Sequence, residues 1–229
     1  MRTSRAVIRD AWFIAAKDVR IEARARDVVP TMTLFAVLIA VLSSIAVYVD
    51  PRTGRMVAPG VLWISIAFAG TLGITRTWTR EREGGALKSL LLTGVPPGAI
   101  FLGKMIGATV FVLITELVVT PLVGLLLQAP VLQYIAPFSL LAVLGTVGFV
   151  AAGTLFGALG ARGGSRELMV AVVLYPLVSP AILCGVVATR EVFHGVPLSQ
   201  LTDWVKLLLA FDIVFVAGGM WLMGPLLTD

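Results

Sequence analysis

A single histidine, His194, and a single cysteine, Cys184, bound the nucleophilic and metal chemistry open to this chain. Cys184 excludes an internal disulfide and a multi-cysteine metal site. Inside an apolar run it reads as a small buried hydrophobe. His194 has no serine and acid set around it for nucleophilic catalysis. One imidazole can in principle ligate iron, but an unpaired histidine in a polar stretch reads as a solvated loop residue. No phosphate-cradling glycine loop and no dinucleotide fingerprint occurs. The chain therefore reads as non-catalytic, with no metal site and no directly bound cofactor. An energy-driven process would need an ATPase supplied by another chain.

Two carboxylates fall deep in apolar runs, Glu116 and Asp212. A charge at such a depth costs ~2.5–3.5 kcal/mol on insertion scales, so both must face protein or water. They either line a cavity or moving interface, or make a locally satisfied structural hydrogen bond. The most polar internal segment is different in kind. From Glu81-Arg82-Glu83 it passes through Gly84 and Gly85 to Leu87, Lys88, Leu90 and Leu91. Leu87, Leu90 and Leu91 share one helical face, and Val95-Pro96-Pro97-Gly98 then redirects the chain. A short helix with a leucine face and charged ends suits docking into a partner's groove. It equally suits lying on a membrane surface. Small residues at GxxxG spacing, Gly103 with Gly107 and Gly153 with Gly157, suit close helix packing. Pro176 and Pro180 free backbone carbonyls within one helix and predict a kink or hinge.

The elements that must position these groups are membrane spans. The 229 residues are 58% hydrophobic and 14% charged, with a mean hydropathy of +0.98. Several apolar runs reach the ~20 residues that cross a bilayer. The fold class is all-α, with six transmembrane helices over roughly 28–49, 60–77, 98–128, 138–159, 168–188 and 204–223. The division is 1–27 as an interfacial amphipathic helix and 28–229 as the membrane domain, with a coupling segment at 78–98. In the first helix Ile8, Trp12, Ala15 and Val19 make an apolar stripe opposite Arg9, Lys17, Arg20 and Arg24. Residues 50–59 read as a turn-rich loop, from Asp50-Pro51 and Thr53-Gly54. Fourteen of the 18 Lys and Arg fall before the first span, between the second and third or at their adjoining ends, or between the fourth and fifth. The positive-inside rule then places both termini in the cytoplasm. It also explains the net charge of +5 without nucleic acid.

The charged stretch, Gly-x-Leu, leucines and proline turn look like the coupling region of exporter-type ABC permeases. Three blocks resemble the heme exporter protein B family of cytochrome c maturation. They are Ala58-Pro59-Gly60-Val61-Leu62-Trp63; Gly85-Ala86-Leu87 followed by Pro96 and Lys104; and Arg162-Gly163-Gly164 followed by Leu174-Tyr175-Pro176-Leu177-Val178-Ser179-Pro180. The likeness spans most of the chain in order and topology. Family members usually have acids where Gly84 and Lys88 stand here, and Glu83 lies one position before the first. The resemblance implies a permease in a bacterial inner membrane, with Arg82, Glu83, Gly85, Leu87, Leu90, Leu91 and Pro96 contacting a cytoplasmic ABC ATPase subunit that binds ATP. It further implies a heme-handling membrane subunit with a small companion, a second copy of this chain, and heme handled by the complex. Alternatives are a permease of another ABC exporter, for lipid, polysaccharide or drug, and a membrane scaffold that moves nothing.

Overall fold

The structure, a computed structural model, describes residues 4–47, 50–83, 92, 94–160 and 166–228. Its long helices are α1 (Ser4–Ala25), α2 (Val28–Ala46), α3 (Pro51–Glu83), α4 (Pro97–Leu126), α5 (Ile135–Gly160), α6 (Arg166–Phe193) and α7 (Thr202–Thr228). A 3₁₀ turn, Leu198–Gln200, precedes α7. The described residues contain no strand. Helices α2 to α7 are each long and apolar enough to cross a membrane, as the composition requires. The 30 residues of α4 extend about 45 Å, well beyond ~30 Å of hydrocarbon.

The second span starts earlier than the sequence indicates. Asp50-Pro51 is a helix start, not a turn. Asp50 Oδ2 accepts from the Thr53 backbone N–H at 3.3 Å and the Thr53 hydroxyl at 3.4 Å. Its carbonyl accepts from Gly54 N–H at 3.1 Å. An aspartate N-cap followed by proline at the first helical position is a strong helix opening. The residues assigned to a loop at 50–59 are therefore the first turns of α3, and Pro59 sits inside the helix.

Helices α4 and α5 form the middle of the bundle. α4 packs on α1, α2, α3, α5 and α7, and α5 packs on α3, α6 and α7 as well. Close approach is set by missing side chains. A Cβ on Gly153 would come within 2.5 Å of Ile74 Cδ1, and one on Gly157 within 2.5 Å of Trp78 Cδ1, so α3 lies directly on this edge of α5. Trp63 of α3 is clasped between Gly145 and Gly185, and its indole N–H donates to Thr189 Oγ1 at 3.0 Å. That bond satisfies a polar group which burial would otherwise leave without a partner. In α6, Pro180 offers no N–H to the carbonyl of Pro176. The Ser179 hydroxyl donates to that carbonyl at 2.8 Å in place of the missing N–H. Apolar side chains such as Leu34, Leu42, Ile213 and Trp221 are exposed on α2 and α7, as suits helices bathed in lipid.

Helix α1 docks against the start of α4, and its packing face differs from the expected stripe. Ala11, Ile14, Ala15, Asp18 and Glu22 are buried, whereas Ile8, Trp12 and Val19 are exposed. The cause is the surface it meets. At Gly103 an added Cβ would lie 2.6 Å from Ile14 Cβ and 2.7 Å from the Ala11 carbonyl. Such a shallow groove admits alanines and a branched side chain but not an indole. Ile8, Trp12 and Val19 therefore line the flank of α1, free to meet the bilayer interface.

Candidate functional site

The end of the bundle that carries α1 holds eight charges in two neighbouring groups of contacts, drawn from four segments. Helix α1 brings Lys17, Asp18 and Glu22, the turn before α2 brings Asp27, α3 brings Arg76, Arg80 and Glu81, and α4 brings Lys104. Lys104 is 2% exposed. Its ammonium donates to Asp18 Oδ2 at 2.8 Å and to Glu81 Oε1 at 2.5 Å. Lys17 donates to the same Glu81 oxygen at 2.6 Å and lies 3.1 Å from Asp18 Oδ1. Two lysines and two carboxylates thus neutralise one another. Burial pulls the Lys17 ammonium down, but the hydrogen bond to Glu81 and the charges of Asp18 and Glu81 outweigh it. They hold its pKa above the ordinary lysine value of 10.5.

Beside this quartet, Arg76 donates to Asp27 Oδ1 at 2.9 Å and Arg80 to Asp27 Oδ2 at 3.2 Å. Arg80 also lies 3.7 Å from Glu22 Oε2. Asp27 occupies the N-cap position of α2 without capping it, because both its oxygens are engaged by arginines of α3. Glu22 of α1 substitutes, accepting from the Val29 backbone N–H at 2.9 Å and satisfying one of the free donors at that helix start. Around these groups is a cavity of about 220 Å³, bounded among others by Lys17, Asp18, Thr77, Glu81 and Lys104. The second oxygen of Glu81 is buried without a hydrogen bond among the described residues. Each charge of this cluster is met by an opposite charge. The cluster ties α1, the end of α3 and the start of α4 together, and its Arg80 and Glu81 lie within the expected coupling segment at 78–98.

That segment is described in part. Gly85, Leu87, Leu90 and Leu91 lie outside the described residues. Arg82 and Glu83 belong to the last turn of α3. Pro96 occupies the N-cap of α4 with extended backbone, and its carbonyl accepts from Ala99 and Ile100 at 2.8 and 3.2 Å. Of the small residues, Gly103 receives α1, and a Cβ on Gly107 would meet Asp18 Cβ at 3.5 Å, an ordinary contact. Gly153 and Gly157 receive α3. Pro176 and Pro180 lie within α6. Arg162-Gly163-Gly164 lies outside the described residues.

Glu116 accepts a hydrogen bond from the Thr146 hydroxyl of α5. Asp212 of α7 abuts Gly148 on the same helix, and its Oδ1 is buried without a hydrogen bond among the described residues. The two carboxylates thus approach one turn of α5, at residues 146 and 148. His194 is exposed at the end of α6. The described residues contain no group of three or more His, Cys, Asp or Glu that could hold a metal ion.

Lys104, Asp18 and Glu81 were not singled out by the sequence as a set. Their signal was a lysine seven residues into an apolar span, Asp18 on the face of α1 that carries Ala11, Ile14 and Ala15, and Glu81 in the charged end of α3. A lysine at that depth needs a carboxylate partner, and the nearest in sequence, Glu116, is not the one it uses.

Comparison with known proteins places this architecture. The CcmB protein family profile matches residues 9–221. Heme exporter protein B of Bradyrhizobium diazoefficiens is 28% identical over 190 residues, 80% of this chain and 82% of that protein. Heme exporter protein B of Pseudomonas aeruginosa is 26% identical over 197 residues, 83% of this chain and 84% of that protein. The Escherichia coli K12 protein of the same name is 22% identical over 94 residues, 41% of this chain and 43% of its own. With six apolar spans and a match across nearly its whole length, the chain belongs to the CcmB protein family, the heme exporter protein B family of membrane transport permeases.

Proposed function

We propose that this chain is the membrane-spanning, non-catalytic subunit of an ABC-type heme exporter complex that serves cytochrome c maturation in a bacterial inner membrane. The observation that carries this reading is the family match over residues 9–221, on a chain whose relatives are named for heme export. The positive-inside pattern puts both termini in the cytoplasm, on the side where ATP is available. ATP is bound and hydrolysed by a separate ABC subunit docking at residues 81–97. A heme-handling membrane subunit with its small companion, and a second copy of this chain, complete the assembly. Heme delivery, or release of a heme-loaded periplasmic chaperone, is the output.

The ion-pair cluster supports a route for the motion. Glu81 stands on the last turn of α3, two residues before Glu83, and is bonded to both Lys17 and Lys104. A displacement of the segment that follows α3 would reach α1 and α4 through those bonds rather than being absorbed in a flexible joint.

The test is the double substitution Leu87→Asp and Leu90→Asp. Two carboxylates on the leucine face oppose burial in a partner's groove. The expected result is a stably inserted protein, an ATPase subunit that no longer co-purifies or no longer couples, and loss of cytochrome c maturation. Normal maturation by the inserted double variant would overturn the docking assignment. Recovery of an ATPase dimer alone, without a heme-handling subunit, would point to another cargo.

A further inference from the structure

A groove of about 420 Å³ lies between α4 and α5 in the half of the bundle remote from α1. Its walls are apolar, and Leu117 and Leu132 stand 76% and 80% exposed at its rim, so it opens sideways where lipid surrounds the bundle. Its floor is different. Glu116 and Thr120, each 5% exposed, line it, and the Thr120 hydroxyl is buried without a hydrogen-bond partner among the described residues. Pro121, also lining it, has no N–H to give the carbonyl of Leu117. One turn of α4 therefore presents a carboxyl, a hydroxyl and a backbone carbonyl short of its usual donor. The lining contains no Lys, Arg or His. The one other hydroxyl there, Ser139, is spent on the Ala136 carbonyl at 2.9 Å.

We propose that this groove binds a membrane-dissolved, single-chain lipophilic molecule whose hydroxyl or amine donates to Glu116 and accepts from the Thr120 hydroxyl. The class follows from the groups on the floor. A carboxyl, a carbonyl short of its donor and an unpartnered hydroxyl meet there, and polar groups in hydrocarbon are costly until paired. The occupant is not a helix of a partner, because a helix with side chains is about 10 Å across and the groove has the volume of a small-molecule site. The site does not depend on the cargo of the complex and lies away from the coupling segment.

The test is photolabelling of the full chain in phosphatidylethanolamine and phosphatidylglycerol nanodiscs. The probes are a diazirine-tailed long-chain alcohol, the corresponding amine, and a diazirine alkane of equal length. Labelled peptides are read by mass spectrometry. The alcohol or the amine is expected to label residues 113–121 and 131–143 several-fold more than the alkane does, the scale of one or two hydrogen bonds. Val143→Trp should fill the groove and abolish this labelling while leaving Glu116 and Thr120 untouched. Thr120→Val should remove one of the two hydrogen bonds and cut the preference for the donor probes over the alkane several-fold. Equal labelling by all three probes, labelling spread evenly over α2 and α7, or labelling indifferent to Val143→Trp would each overturn the proposal. So would a Leu132→Cys variant that forms disulfide dimers in native membranes, since a second copy would then cover the groove.

Discussion

Lys104 joins the start of α4 to α1 and α3. An ammonium 2% exposed is tolerable only because Asp18 and Glu81 surround it with opposite charge. Removing one member of a buried ion pair typically costs about 3–5 kcal/mol, because the remaining charges stay desolvated. Lys104→Met should therefore lower the melting temperature in detergent markedly, and Asp18→Asn should do the same. Combined, the two should cost less than the sum of their separate effects, since the second change removes a charge the first left unpaired. Additive losses would show that the two side chains do not act as a pair. Lys17 makes a pH prediction. Its pKa is raised in the folded state, so its contribution is complete below the ordinary lysine value of 10.5 and is lost as pH rises through the folded value. Thermal stability should show an alkaline decline above that value which Lys17→Gln reduces. An unchanged alkaline limb in the variant would remove Lys17 from the account.

At the scale of elements, the apolar runs were legible because crossing a bilayer demands length and continuity, and both are visible in one dimension. The start of α3 was not. Asp50-Pro51 serves turns and helix openings alike, and only the Asp50 bonds to Thr53 decide between them. The amphipathic character of α1 was legible, but its docking face was not. That face is chosen by the glycine edge of α4, where Ile14 and Ala11 enter at Gly103, and no property of α1 alone reveals it. Gly103→Leu tests this edge. A side chain there must displace α1, since the Ala11 backbone cannot yield as a flexible side-chain tip can. Loss of packing lowers the local opening free energy. Trypsin should then cut at the exposed Arg9, Arg20 and Arg24 of α1 much faster than in the parent, while α5 and α6 keep their protection. Unaltered cleavage of α1 would mean that it is held by the ion pairs alone.

For the whole molecule, the charge distribution and the fold describe the same asymmetry. The sequence pattern placed fourteen basic residues on one side. In the fold, several of them are not loop charges at all: Lys104 is buried, and Arg76, Arg80 and Lys17 are tied to acids of α1, its following turn and α3. The cluster escaped notice in one dimension because its key pair, Asp18 and Lys104, is separated by 86 positions. The paired charges remain at the α1 end, so they weaken the electrostatic drive for orientation without reversing it. Arg9, Arg20 and Arg24 stay exposed there and still oppose translocation. The expected topology can be measured directly, because the native Cys184 is buried and gives little background. Ser199 and Ala23 are both exposed, at opposite ends of the bundle. In intact spheroplasts a membrane-impermeant maleimide should label Ser199→Cys at once, and Ala23→Cys only after permeabilisation. The reverse pattern would place α1 and residues 81–97 outside the cell, beyond reach of any ATP-hydrolysing partner, and the coupling proposal would fall with the orientation.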